Sequence, residues 1–265
     1  MTTPPSTTPR QVADAFVEQL SDLDPLVATS LGNRPGDDRL PDTSPAGADA
    51  EADLQRATLA ELDRVLAERP DLADDDVERR CARLLRERLT AALDLHEAGE
   101  HLRQVSNLFS PVHSIRQVFS MMPTQSTEDW AVVARRLARV PEAYRGYRES
   151  LAAGAARGLF AAPRQVATVV GQLDEWLAGP YFAGLVAAGP DELRGQLDDA
   201  ARAADDAVAA VRDFLRDDYA PQAEGTPDAV GRERYARFAR SWNGTDLGAG
   251  PVSYTHLTLP TILRV

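Results

Sequence analysis

Lysine is missing from this sequence; all 29 basic residues are arginine. Isoleucine occurs only at Ile115 and Ile262. The codons of both are AT-rich, so this bias points to a GC-rich coding sequence and says nothing of the fold. The one thiol, Cys81, excludes an internal disulfide framework and a cysteine-built zinc knuckle. Aromatic residues are only 6% of the chain, so a core must be assembled from Ala, Leu and Val. No uncharged run approaches the length of a membrane-crossing helix. The Thr/Pro-rich residues 1–10 contain no apolar stretch of the kind a signal peptide needs. An excess of positive charge is lacking too. The formal net charge is -12, which repels phosphate backbones and anionic lipid. The expectation is a cytoplasmic protein that binds neither nucleic acid nor membrane.

What is present is the material of a soluble globular chain. Of 265 residues, 43% are hydrophobic and 26% charged, enough for one large domain or two small ones. A Ser or Thr followed by Pro recurs at Thr8-Pro9, Ser44-Pro45, Ser110-Pro111 and Thr226-Pro227. This pair suits a helix start: the hydroxyl accepts from a first-turn N–H, and Pro lacks an N–H that would be unpaired there. Helices are expected at about 9–22, 25–31 (capped by Asp24), 45–69, from Asp74-Asp75-Asp76 to about Val105, and at 111–121, 127–139, 141–157, 163–178, 180–188, 190–218 and 227–241. The apolar stripes are Val12, Phe16 and Leu20 on the first; Leu54, Leu59, Leu62 and Leu66 on the third; and Val77, Cys81, Leu84, Leu85, Leu89 and Leu93 on the fourth. No segment alternates with period two and no fixed-period repeat occurs, so the fold class is all-α, a multi-helix array. Residues 1–8 read as a disordered N-terminus and 9–250 as a helical domain.

Residues 251–265 (PVSYTHLTLPTILRV) break this pattern, with clustered Thr and Ile and no acidic residue. Val252 to Leu257 back-translates as GTC TCT TAT ACA CAT CTG, which looks like a transposase end and sequencing adaptor. The segment is read as a non-native, adaptor-derived tail with its seam near Gly250 or Pro251.

Candidate chemistry is sparse. His96-Glu97-Ala98-Gly99-Glu100-His101 resembles a zinc motif, but H-E-x-x-H needs histidines at i and i+4 on one helix face. Here they stand at i and i+5, about 140° apart on a continuous helix, and could share an ion only if the helix broke at Gly99. His113 has no partner His or Cys nearby in sequence and reads as a core or capping residue. Cys81 reads as a small buried hydrophobe, and Phe119, Met121 and Met122 as core. Arg232, Arg234, Arg237 and Arg240, with Tyr235, Phe238 and Trp242, could form an anion clamp, but read more simply as a solvated face with an aromatic stripe. No nucleophile elbow, P-loop or dinucleotide glycine pattern occurs.

Several segments in series carry a resemblance: LHEAGEHL at 95–102, SPVHSIRQVF at 110–119, Met122-Pro123-Thr124, Glu128-Asp129-Trp130, YRESL at 147–151 and VGRERY at 230–235. Together they resemble the N-terminal half of the bacterial family called domain of unknown function 885, over about residues 10–247. The resemblance implies a larger, helical, zinc-dependent peptidase in which a metal-activated water attacks a peptide carbonyl. It also implies a metal motif in a C-terminal half not contained in this chain. On that reading the chain is a truncated, inactive fragment that walls one side of the substrate cleft. Its partners would be the missing C-terminal half and, for the intact protein, a peptide substrate. No catalytic, cofactor-binding or metal residue is assigned within the chain, and zinc belongs to the intact protein only. The alternative is a complete acidic helical binding or scaffold module without catalysis. Truncation also predicts a large contiguous apolar patch, involving the 163–188 or 227–242 helices, and a tendency to aggregate.

Overall fold

The computed structural model describes residues 7–73, 75–179 and 181–246. Most of the N-terminal segment expected to be disordered and the whole of the tail at 251–265 lie outside the described residues. Among the described residues the secondary structure is entirely helical, as the periodicity requires. The helices are α1 (Pro9–Leu23), α2 (Pro25–Leu31), α3 (Pro45–Glu68), α4 (Asp76–Glu97), α5 (Pro111–Val118), α6 (Thr127–Leu137), α7 (Val140–Ala156), α8 (Pro163–Ala178), α9 (Tyr181–Val186), α10 (Arg194–Asp213), α11 (Ala220–Ala223) and α12 (Arg232–Asn243).

Local chemistry explains most of the helix starts. Asp24 Oδ1 accepts from the N–H groups of Leu26 and Val27 at 2.8 and 3.3 Å, satisfying first-turn donors of α2. Ser126 and Asp129 form a reciprocal capping box on α6. Three of the four Ser/Thr-Pro pairs do begin helices. The fourth does not: α12 starts at Arg232, after Gly225 and Gly231, which both take a positive φ that a continuous helix does not allow.

The expected helix to Val105 also ends early. α4 stops at Glu97, Gly99 adopts φ +70°, and a short 3-10 turn follows over Glu100–Arg103. Gly99 is favoured by its conformation, which disfavours a side chain; a Cβ there would lie 2.6 Å from Leu159 Cδ1, which a rotation of that leucine could relieve. The expected 190–218 helix is likewise composite. A 3-10 turn at Asp191–Leu193 leads into α10, and a π turn over Phe214–Tyr219 follows it. Tyr219 is fully buried there and its hydroxyl accepts from Ala161 N–H at 2.8 Å.

The chain forms two compact units. The first takes residues up to 16, 52–98 and those from 229; the second takes 17–51 and 99–228, so α1 and α3 each contribute to both. The first unit is built on Val12, Leu62, Val65, Leu72, Ala82, Leu85 and Leu89. The stripe of α4 is rotated from the expected one. Leu85, Leu89 and Leu93 are buried, Val77 and Leu84 are exposed, and the expected buried Cys81 is only half-buried. On α3, Leu62 is buried with Val65, while Leu54, Leu59 and Leu66 are half-buried. Helix α12 packs along α4 yet buries no residue of its own.

The second unit is centred on α10, which packs against α6, α7, α8 and α9. Tyr144 and Tyr147 lie in this core with their hydroxyls donating to the carbonyls of Val112 (3.1 Å) and Gln104 (2.9 Å). Small residues on α7 let other segments come close. A Cβ on Gly146 would sit 2.9 Å from Ser44 N, and one on Gly154 would run into the Leu102 carbonyl. Ser150 Oγ donates to Thr43 O at 2.7 Å, and Thr43 Oγ1 donates to Ala143 O. The loop at 41–44 is thereby laid along α7.

Candidate functional site

The loop at 41–44, held on α7, forms one wall of a cavity of about 240 Å³ in the second unit. The start of α3 contributes Gly47, Ala48 and Glu51; α5 contributes Ser114 and Ile115; α7 contributes Tyr147 and Ser150; His101 comes from the 3-10 turn. The lining is rich in hydroxyls and carboxylates, with Asp24, Asp42 and Glu51 among them.

The bonding of these groups decides what they can do. The protons of Tyr147 and Ser150 are given to backbone carbonyls, so neither hydroxyl is poised as a nucleophile. Burial pushes the Asp24 carboxyl above its usual range, with the two cap N–H groups opposing that shift. Its Oδ1 is engaged in capping α2. Asp42 Oδ1 accepts from Ser44 N at 2.9 Å. These groups suit binding of a polar chain through hydrogen bonds better than covalent chemistry.

A Ser–His pair does occur nearby. Ser110 Oγ lies 2.7 Å from His113 Nδ1, and His113 Nε2 lies 3.1 Å from Gln172 Oε1. Gln172 Nε2 donates to Asn107 O at 3.1 Å, so its oxygen faces the ring and Nε2 carries the imidazole proton. Ser110 is 0% exposed and its Oγ also lies 3.0 Å from the Ser106 carbonyl, so it stands as a core hydroxyl and not as a poised nucleophile. Trp176 stacks edge-on against His113, and Arg116 lies over the rings of Trp176 and Tyr181 at 4.5 and 3.9 Å. Burial pulls the His113 pKa below its ordinary value, against the hydrogen bond to Gln172. His113 is a structural residue at the start of α5.

The histidines of the 96–101 motif are not on a continuous helix, since α4 ends between them, so the i+5 geometry does not apply. His96 belongs to the first unit and His101 to the second. Glu100 is buried and paired with Arg103 at 2.5 Å. Among the described residues no three His, Cys, Asp or Glu side chains come together as a metal site. The described residues thus assemble no donor set that fits zinc.

The arginines of α12 form no common clamp. Arg240 bonds Glu87 through Nε and Nη2 (2.7 and 2.9 Å) and Asp94 through Nη1 (2.7 Å). Arg234 instead lies 5.7 Å from the Phe238 ring centre. The expected aromatic core stripe is absent, because Tyr235 and Trp242 are 43% and 74% exposed. Tyr235 and Trp242 are thus exposed on the arginine-rich α12, which is not by itself the expected contiguous patch, whereas α8 buries Val166, Val169 and Leu173. Phe119 is buried and Met122 packs on the core, but Met121 is exposed.

Sequence reasoning missed Arg136, a fully buried arginine on α6. The available signal was its place on the α6 face that buries Val133 and Leu137.

A family model described as a bacterial protein of unknown function (DUF885) matches residues 25–254. No curated protein matches the chain.

Proposed function

Given that the chain belongs to the DUF885 family of bacterial proteins, we propose that it is the helical N-terminal part of a zinc-dependent, peptidase-like protein. It walls one side of a peptide-binding cleft and does not itself hold the metal. One observation carries the reading. Segments 95–102, 110–119 and 147–151, which bear the family resemblance, meet at the cavity through His101, Pro111, Ser114, Ile115, Tyr147 and Ser150. The hydroxyls of Thr43, Ser44 and Ser114 and the carboxylates of Asp24, Asp42 and Glu51 in the lining suit hydrogen bonding to the amides of an extended chain. No catalytic step is assigned to these residues, because no donor set here fits zinc. Exposure of Tyr235 and Trp242 also supports the reading, and an adaptor origin for residues 251–265 is part of the proposal. Among the described residues no helix is long and apolar enough to cross a membrane, and a cytoplasmic setting is part of the proposal.

Two measurements test it. Zinc titration of the chain against a competing chelator is expected to reveal no tight stoichiometric site. The reading frame of the source genome past residue 250 is expected to continue to an H-E-x-x-H-like motif. A tight site using His96 or His101, or a stop codon at the seam, would overturn the proposal. The stop codon would favour the acidic scaffold module.

A further inference from the structure

A second cleft in the same unit, of about 340 Å³, is built differently. Its walls are largely apolar: Ala28, Pro35, Met121, Met122, Pro123 and Val132. At its edge lies Arg136, only 1% exposed. A buried guanidinium is costly unless its donors are bonded. Yet only Nη1 has a partner, Thr29 Oγ1 at 2.9 Å, while Nε and Nη2 have none.

Those two atoms form the side-on edge of the guanidinium, the edge whose parallel N–H bonds match the two oxygens of a carboxylate. Elsewhere in this protein that edge is filled in just this way. Arg39 bonds Asp37 through Nε and Nη2 at 3.0 and 2.8 Å, and Arg64 bonds Glu61 at 2.8 and 2.6 Å. The acidic groups around Arg136 are already engaged. Asp37 is held by Arg39, and Asp38 by Arg135 and Arg139. Asp129 accepts from the N–H groups of Gln125 and Ser126. The second arginine of the cleft, Arg34, is bound to Glu18 and Asp22. Burial lowers the Arg136 pKa, with attraction from Asp37 and Asp38 opposing that shift.

We propose that this cleft binds the carboxylate of an apolar organic acid, side-on across Nε and Nη2 of Arg136, with the apolar body against Met121, Met122 and Val132. One guanidinium among aspartates favours a monoanion over a phosphate dianion, because each further negative charge is repelled by Asp37, Asp38 and Asp129. The acid can be a free small molecule or the C-terminus of a peptide ending in an apolar residue.

Calorimetric titration of the whole chain with 3-phenylpropanoate tests this, beside its neutral amide and inorganic phosphate. Saturable binding of the acid is expected, with the amide and phosphate weaker by at least about tenfold. N-acetyl-Gly-Phe, as free acid and as amide, separates the two sources: tighter binding of its acid than of 3-phenylpropanoate assigns the site to peptide ends, weaker binding to free acids. In wild-type protein the Arg136 Nε–H resonance should shift on saturation, which needs no variant. Arg136→Gln should abolish binding, and Val132→Trp should abolish it by filling the cleft while leaving the guanidinium in place. No saturable binding of either acid, equal binding of acid and amide, or an unmoved Nε–H signal would each overturn the proposal.

Discussion

Ser110 Oγ lies 2.7 Å from His113 Nδ1 and 3.0 Å from the Ser106 carbonyl, so one hydroxyl proton at the start of α5 serves a ring nitrogen or the backbone. The neutral imidazole fits this arrangement, and burial depresses its pKa. The sign follows. A depressed folded pKa gives stability that is whole above the unfolded value of about 6.5 and lost as pH falls through the folded one. The urea midpoint is therefore expected to drop between about pH 7.5 and 5. His113→Gln should flatten part of that slope; an unchanged slope would disprove the assignment. Asp24, raised by burial, acts with the opposite sign, so Asp24→Asn in the same series separates its contribution.

Two glycine substitutions should move stability in opposite directions. A Cβ at Gly154 meets the Leu102 carbonyl, and backbone cannot move aside as a flexible side chain can. Gly154→Ala is expected to destabilise by about 1–3 kcal/mol. Gly171, within α8, has nothing within 4 Å of its would-be Cβ. Gly171→Ala should stabilise by about 0.5–1 kcal/mol through helix propensity. Urea unfolding of both variants checks the pair, and equal shifts would contradict the close approach.

Helix α12 buries no side chain, and Arg240 ties it to α4 through Glu87 and Asp94, beside a bond from Arg88 to the Ser241 carbonyl. These partly exposed pairs contribute on the order of 1 kcal/mol, less at high salt. Arg240→Ala should speed tryptic cleavage at Arg234 and Arg237, most clearly against wild type in low salt. Unchanged cleavage would mean that α12 is held by other contacts.

Cys81 should be a sluggish thiol. Burial, helped by Glu78, raises its pKa, so the reactive thiolate is scarce at neutral pH. Alkylation by iodoacetamide at pH 7.5 is expected to be slower than that of glutathione and to accelerate in denaturing urea. Rapid alkylation of the folded protein would contradict this.

The helical class and most helix starts were legible because capping is local. Asp24 reaches donors two and three residues ahead, and the Ser126–Asp129 box closes within one turn. Local signals fail where another residue breaks the helical backbone. Thr226-Pro227 has the form of a helix start, yet Gly231 takes a positive φ and α12 begins only after it. The HEAGEH motif is compatible with a continuous helix or a break at Gly99, and the left-handed φ of +70° at Gly99 makes it a break. Of the candidate cavity, the segments that line it could be quoted in advance, but not that they meet.

The amino-acid order by itself determined an arginine-only, acidic, all-helical chain with its elements nearly in place, since composition and turn-by-turn hydrogen bonding need no knowledge of remote neighbours. Only the tertiary structure decided that Arg135 faces water and pairs with Asp38 while Arg136, one residue on, is buried at a cleft with its side-on edge unfilled. The physical reason is that helical periodicity assigns faces only approximately. What an arginine meets on its face depends on segments brought in from a hundred residues away.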